Sequence, residues 1–217
     1  MKNTNLTRRS AIAGAAALPL GMATAGKVQA AAPMLGAQKP PFSRVKLGEF
    51  DVTTLLAGTR TVPGPQNIFG MNVSAEEFAA ASEEANLPID KAQFFFTPTV
   101  VNTGSELILF DTGLSGEGTS AALEAAGYTA DQVDIVVITH MHGDHIGGLI
   151  TNEAPTFKNA RYFTGSVEFD AWAKAGNDTF EARMRPVADM TTFLGEGGSV
   201  ASGVTGMATF GHTPGHM

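Results

Sequence analysis

The chain has 217 residues, with 14 basic against 21 acidic side chains and no cysteine. The net charge of −7 disfavours nucleic acid and anionic membrane surfaces as partners, and the absence of cysteine excludes a disulfide framework, a thiolate ligand and a thiol nucleophile. No internal repeat is visible, and the length suits one domain with a real core.

Residues 1–30 read as a signal peptide. Lys2, Arg8 and Arg9 make a basic start, Ala11 to Ala25 is apolar and rich in Ala and Gly, and Val28-Gln29-Ala30 fits a small-residue cleavage site. Thr7-Arg8-Arg9-Ser10 resembles a twin-arginine signal. The apolar stretch is too short to span a membrane well. The expected location is therefore periplasmic or secreted, with no membrane attachment once the signal is removed. This leader holds four of the 14 basic residues and none of the 21 acidic ones, so ten basic residues face 21 acidic ones in the remainder, a net charge of −11. Residues 31–43 read as a flexible lead-in and residues 44–217 as one folded domain.

Arg44 to Leu56 alternates like a hairpin split by Gly48-Glu49. Thr61 to Asn72 is rich in Pro, Gly and Asn and reads as a loop. Ser74 with Glu77 forms a capping box that opens a helix to about Ala85. Phe94 to Phe96 leads into a second hairpin, Thr99 to Asn102 with Glu106 to Phe110, followed by Asp111-Thr112-Gly113. Ser120 to Ala126 is a short helix closed by Gly127, and Thr129 opens a turn. Ile135 to Ile138 is a short β-branched run and reads as a buried strand. Further on, Asn159 to Thr164 reads as a strand, Ser166 to Lys174 as an amphipathic helix, and Asn177 to Val187 as helical. Gly195 to Ser202 is expected to turn, and Val204 to Phe210 to form a strand.

The histidines carry the chemistry. There are five in the chain. His140, His142 and His145 follow the Ile135–Ile138 run with Asp144 among them, and His212 and His216 lie near the end. Imidazole and carboxylate are ligands suited to Zn²⁺ and similar cations. His140 and His142 are two apart in an extended segment, so both point to one side and can hold one ion. Asp144 and His145 diverge as a helix begins, which suits a second ion. Gly143 is expected to let the backbone turn tightly.

Thr139-His140-Met141-His142-Gly143-Asp144-His145 resembles the signature of the metallo-β-lactamase superfamily. Val204 to Phe210, ending in Gly211-His212-Thr213-Pro214-Gly215-His216, is similar to its second metal motif. The resemblance implies an α/β fold, the αββα metallo-β-lactamase sandwich. It also implies two Zn²⁺ ions, though other divalent metals would fit the same ligands. The implied metal ligands are His140, His142, Asp144, His145 and His212. His216 matches a position that is usually structural, and Asp111 braces the metal-bearing loop without being a ligand. Asp144 is implied to hold the second metal and to accept a hydrogen bond from the nucleophile, a bridging water whose pKa the metals lower.

Leu47-Gly48-Glu49-Phe50, Val101 to Ser105 and Ala125 to Tyr128 are similar to the methyl parathion hydrolase branch, which hydrolyses organophosphate triesters and has lactonase relatives. This implies a hydrolase of ester-type bonds, phosphotriester or lactone. Trp172 falls where that branch places an aromatic at the pocket mouth, and Phe94 joins it as a candidate substrate-binding residue. The expected partner is a small-molecule substrate, with a homodimer possible. The family pattern continues past Met217 with an Asp, a last His and further strands, so the domain is expected to be a truncated one, part of a longer product. Two alternatives stay open: a class B-type β-lactamase, and a non-catalytic truncated metal-binding relic.

Overall fold

The computed structural model describes residues 40–217. The signal peptide and most of the lead-in fall outside the described residues. In chain order the elements are β1 (Phe42–Leu47), β2 (Phe50–Leu55), β3 (Gly58–Pro63), α1 (Ala75–Glu84), β4 (Lys91–Phe96), β5 (Thr99–Asn102), β6 (Leu107–Phe110) and α2 (Gly116–Ala125). They continue with β7 (Ile135–Ile138), α3 (Gly143–Ile146), β8 (Ile150–Thr151), β9 (Ala154–Pro155), β10 (Arg161–Gly165), α4 (Ser166–Ala175), α5 (Asp178–Arg183), β11 (Thr191–Leu194), β12 (Ser199–Ala201) and β13 (Val204–Thr205). The first strand begins at Phe42, so the fold takes in the last two residues of the expected lead-in.

Seven strands form one mixed sheet in the order β1-β2-β5-β6-β7-β10-β11. The two expected hairpins supply its antiparallel half, and β6, β7, β10 and β11 run parallel. A parallel sheet buries both faces, so its strands read as continuous apolar runs. In β7, Val136 and Ile138 enter the larger core, with Leu107 and Leu109 of β6 and Tyr162 of β10. Ile135 points the other way, with Ile108 and Phe163. The larger core is closed by helices: Ala122 and Leu123 from α2, Phe169 and Trp172 from α4, Phe180 from α5. On the opposite face the β12–β13 ribbon packs through Val200, Ala201 and Val204. The layers are therefore helix, sheet and β ribbon, consistent with the expected αββα sandwich. Among the described residues, no helix is long and apolar enough to cross a membrane.

Three local expectations are corrected. Thr61 to Pro63 belong to β3, which pairs with β4 in a separate two-stranded ribbon. Pro63 ends this strand, where its missing N–H disturbs no ladder in a central position. The Val204–Phe210 strand shrinks to two residues, because its partner β12 is only three residues long and its register is broken between Ser199 and Ala201. That partner lies inside the segment expected only to turn. The Ser120–Ala126 helix starts a turn earlier, at Gly116, where Ser115 accepts the Gly118 amide.

Candidate metal centre

Three parallel strands deliver their following loops to one edge of the sheet. Asp111 follows β6, Thr139 to His145 follow β7, and Glu168 lies three residues beyond β10. Carboxyl ends of parallel strands are where α/β sheets gather functional groups. Gly147 and Gly148 allow the β7 loop to fold back closely: a Cβ on Gly148 would overlap the Thr112 carbonyl oxygen, and one on Gly147 that of Leu114. Gly143, expected to supply the tight turn, does not need to be glycine. It lacks a left-handed φ, and a Cβ there would meet only Thr179 Cγ2, at 3.7 Å.

His140, His142 and His212 converge, with donor atoms all within 4.8 Å of one another. His140 Nε2 and His212 Nε2 each lie 3.1 Å from His142 Nδ1. Donors about 2.0–2.1 Å from a tetrahedral Zn²⁺ are roughly 3.3 Å apart, so the two 3.1 Å separations are those of neighbouring donors on one such ion. The tautomer of His140 follows from its partners. The Thr139 hydroxyl donates to Asp111, at 2.9 Å from Oδ2, so the 3.1 Å contact between Thr139 Oγ1 and His140 Nδ1 takes its proton from the ring. The Nε2 lone pair is left facing the cluster. Burial, then the neighbouring His145 and His142, push the His140 pKa down to about 3, so the ring is neutral at physiological pH. Burial and His212 also lower the His142 pKa, against an opposing pull from Asp144.

A second pair of donors lies beside the first. His145 Nε2 is 3.6 Å from Asp144 Oδ2, and the His140 and His145 ring centres are 3.8 Å apart. His145 Nδ1 is 2.8 Å from Asp111 Oδ2, which assigns the Nδ1 proton and leaves Nε2 free. Burial alone lowers the His145 pKa, but the Asp111 hydrogen bond, with the charges of Asp111 and Asp144, outweighs it and the net shift is upward.

Asp111 also accepts the Thr139 amide at 2.9 Å. Its φ of 61° is left-handed, which Asp tolerates better than most residues and which turns its carboxylate back under the β7 loop. Asp111 therefore ties strand β6 to both ends of the histidine segment. His216 Nδ1 lies 2.7 Å from Thr209 Oγ1, closing the second loop on itself.

The two candidate substrate residues are placed differently. Trp172 packs edge-on to His142, ring centres 5.5 Å apart, with its Nε1 buried and without a hydrogen-bond partner among the described residues, and it lines neither cavity beside Asp144. Phe94 stacks between Phe69 and Phe96, at 5.8 and 6.3 Å. Phe96 lines both cavities next to Asp144, the larger of about 580 Å³ with Arg60, Leu114 and Arg183 in its wall. The sequence gives no functional signal for Arg60 or Glu168, and it shows Thr139 only as the first residue of the histidine segment. An arginine within a strand, a threonine at a strand end or a glutamate in a first helical turn carries no mark of its eventual neighbours.

This fold and this imidazole cluster define a mixed α/β protein with a candidate metal centre at the carboxyl edge of its sheet. The sequence model described as Metallo-beta-lactamase superfamily matches residues 97–217, and the chain belongs to that superfamily. Among solved structures, it is similar to the dizinc quorum-quenching lactonase AidC, at 22% identity and a TM-score of 0.69, covering 81% of this chain and 68% of that one. The hydrolase AbOPH of the β-lactamase superfamily is similar at 23% identity and a TM-score of 0.71, covering 83% and 69%. These two likenesses establish the shared fold. Of curated proteins, ribonuclease Z of Pyrococcus furiosus is 45% identical over 49 residues, 23% of this chain and 15% of its own length. Anti-Pycsar protein Apyc1 of Paenibacillus sp. is 35% identical over 57 residues, 26% of this chain and 22% of its own. The chain thus matches less than a quarter of the length of these curated relatives.

Proposed function

We propose that the chain is an exported metal-dependent hydrolase that cleaves ester-type bonds, a lactone or a phosphotriester, using two divalent ions, with zinc the first candidate. The observation that carries this is the convergence of three imidazole nitrogens, with His140 Nε2 and His212 Nε2 each 3.1 Å from His142 Nδ1. Nitrogen lone pairs held that close repel unless a hydrogen or a cation lies between them; His142 Nδ1 carries at most one hydrogen and can offer it to only one of its two neighbours, whereas a cation satisfies all three nitrogens. His140, His142 and His212 would hold one ion, Asp144 and His145 contribute to the other. A cation there would lower the pKa of water toward neutrality and polarise the oxygen of the bond under attack.

The chain's own groups do the rest. Asp144, at the cavity wall, accepts a hydrogen bond from the attacking water and orients it. Asp111 keeps the His145 proton on Nδ1, so that Nε2 stays available. Phe96, backed by Phe94, offers an apolar wall for an aryl or acyl group. The acidic balance supports a small molecule over nucleic acid, and the twin-arginine-like leader supports export.

The test is to load the full chain with Zn²⁺ and assay a γ-lactone, an aryl phosphotriester and a penicillin, with and without a chelator. Chelator-sensitive turnover of the first or second is expected. Preferential turnover of penicillin, or bound metal without any turnover, would overturn the assignment.

A further inference from the structure

The two histidine-bearing loops are distant in sequence, and the sheet does not set the spacing between them. The first follows β7, a central strand. The second follows β13, which belongs to a separate ribbon, and residues 206–210 are not in a strand. Yet His142 and His212 approach to 3.1 Å.

We propose that Glu168 is a positioning residue that sets this spacing, a proposal that rests on the reading of the three imidazoles as a cation site. Glu168 is fully buried in the first turn of α4. Its Oε1 accepts the amide of Met141, between His140 and His142, at 3.0 Å. Its Oε2 accepts the amide of Gly215, three residues past His212, at 2.9 Å. One carboxylate therefore holds one N–H from each loop, and both bonds are charge-assisted. Gly215 is in close contact with α4: a Cβ there would overlap the Glu168 amide nitrogen. Nothing bulkier could bring the second loop near enough to share the carboxylate.

The charge is as telling as the geometry. A buried carboxylate is costly without a countercharge, and among the described residues no lysine or arginine forms an ion pair with Glu168. Its field reaches His142. A divalent ion among the imidazoles would supply the missing positive charge, so the brace and the cation would stabilise each other.

The experiment compares the full-length wild type with Glu168→Gln, using Asp170→Asn on the exposed side of the same helix as the control. Gln keeps the size but has one acceptor oxygen, so its amide group must face one of the two N–H donors. Co²⁺ affinity is read by chelator competition and coordination by the visible spectrum of bound Co²⁺. Glu168→Gln is expected to remain folded by circular dichroism, to lose about 10–100-fold in affinity, as partners behind metal ligands typically do, and to show an altered spectrum. The control keeps wild-type values. A folded Glu168→Gln with affinity and spectrum unchanged overturns the proposal. If that variant does not fold, amide exchange in the metal-free wild type decides: Met141 and Gly215 should both exchange slowly, and rapid exchange of either overturns it. A wild type that binds no metal would instead remove the cation-site reading itself.

Discussion

Replacing Asp111 by Asn removes a single charge and no volume. In the wild type the carboxylate accepts three donors: the Thr139 amide at 2.9 Å, the Thr139 hydroxyl at 2.9 Å and His145 Nδ1 at 2.8 Å. Asn has one acceptor oxygen. If that oxygen serves Thr139, the amide NH₂ faces His145 and favours the tautomer with the proton on Nε2, the nitrogen needed for a metal. If it serves His145, the Thr139 amide loses its acceptor. Either way at least one charge-assisted bond goes, worth about 1.5–3 kcal/mol. For a domain of this size that lowers Tm by roughly 3–12 °C. Metal affinity should fall about 10–100-fold as well. Calorimetry on the metal-free protein gives the first quantity and chelator competition the second. A variant with Tm within about a degree of wild type and affinity within about twofold would show that Asp111 does not organise the loop.

Gly148→Ala should cost about 1–3 kcal/mol in a denaturant titration, since the new methyl overlaps the Thr112 carbonyl and the loop must move. Gly143→Ala should stay within about 0.5 kcal/mol, the usual range for a change that touches no special feature. Tyr162 donates its hydroxyl to the Phe157 carbonyl at 2.9 Å, and burial pushes its pKa up to about 12. Because the unfolded chain ionises this phenol near 10, its contribution to stability is complete below that pH and is lost as pH rises to 12. Tyr162→Phe should remove this alkaline loss while costing about 1 kcal/mol at neutral pH, both measured as urea midpoints. Phe94→Ala should raise KM for an aryl or acyl substrate about 2- to 12-fold, the equivalent of about 0.5–1.5 kcal/mol of aromatic contact, with kcat nearly unchanged.

The parts legible in the sequence are those whose cause is local. The Ser74–Glu77 capping box and the Gly48-Glu49 hairpin turn act within a few residues, and both are present where expected. Ile135 to Ile138 stood out because a strand buried on both faces must be apolar throughout. The histidine segment stood out because its spacing is itself the chemistry. What the sequence hid depends on distant partners. β3 exists through β4, about thirty residues away, and its Pro and Gly neighbours mimic a loop. Amphipathic reasoning puts Glu168 outside and Val167 inside, but the structure does the reverse: Val167 is half exposed and Glu168 fully buried. Two amides from other loops satisfy that carboxylate, and no periodicity announces them. Gly143 drew notice by sitting inside the motif, whereas the close approaches are at Gly147 and Gly148, made by the backbone of residues 112–115.

Metal content and turnover, measured together on the full chain and on His142→Ala, test the central claim most directly. His142 Nδ1 is the atom shared by both 3.1 Å contacts in the cluster. The wild type should bind Zn²⁺ and lose lactone or phosphotriester hydrolysis on chelation, regaining it when the ion is returned, and His142→Ala should lose about one equivalent of metal together with turnover. A His142→Ala protein that keeps its metal and its activity would contradict the account.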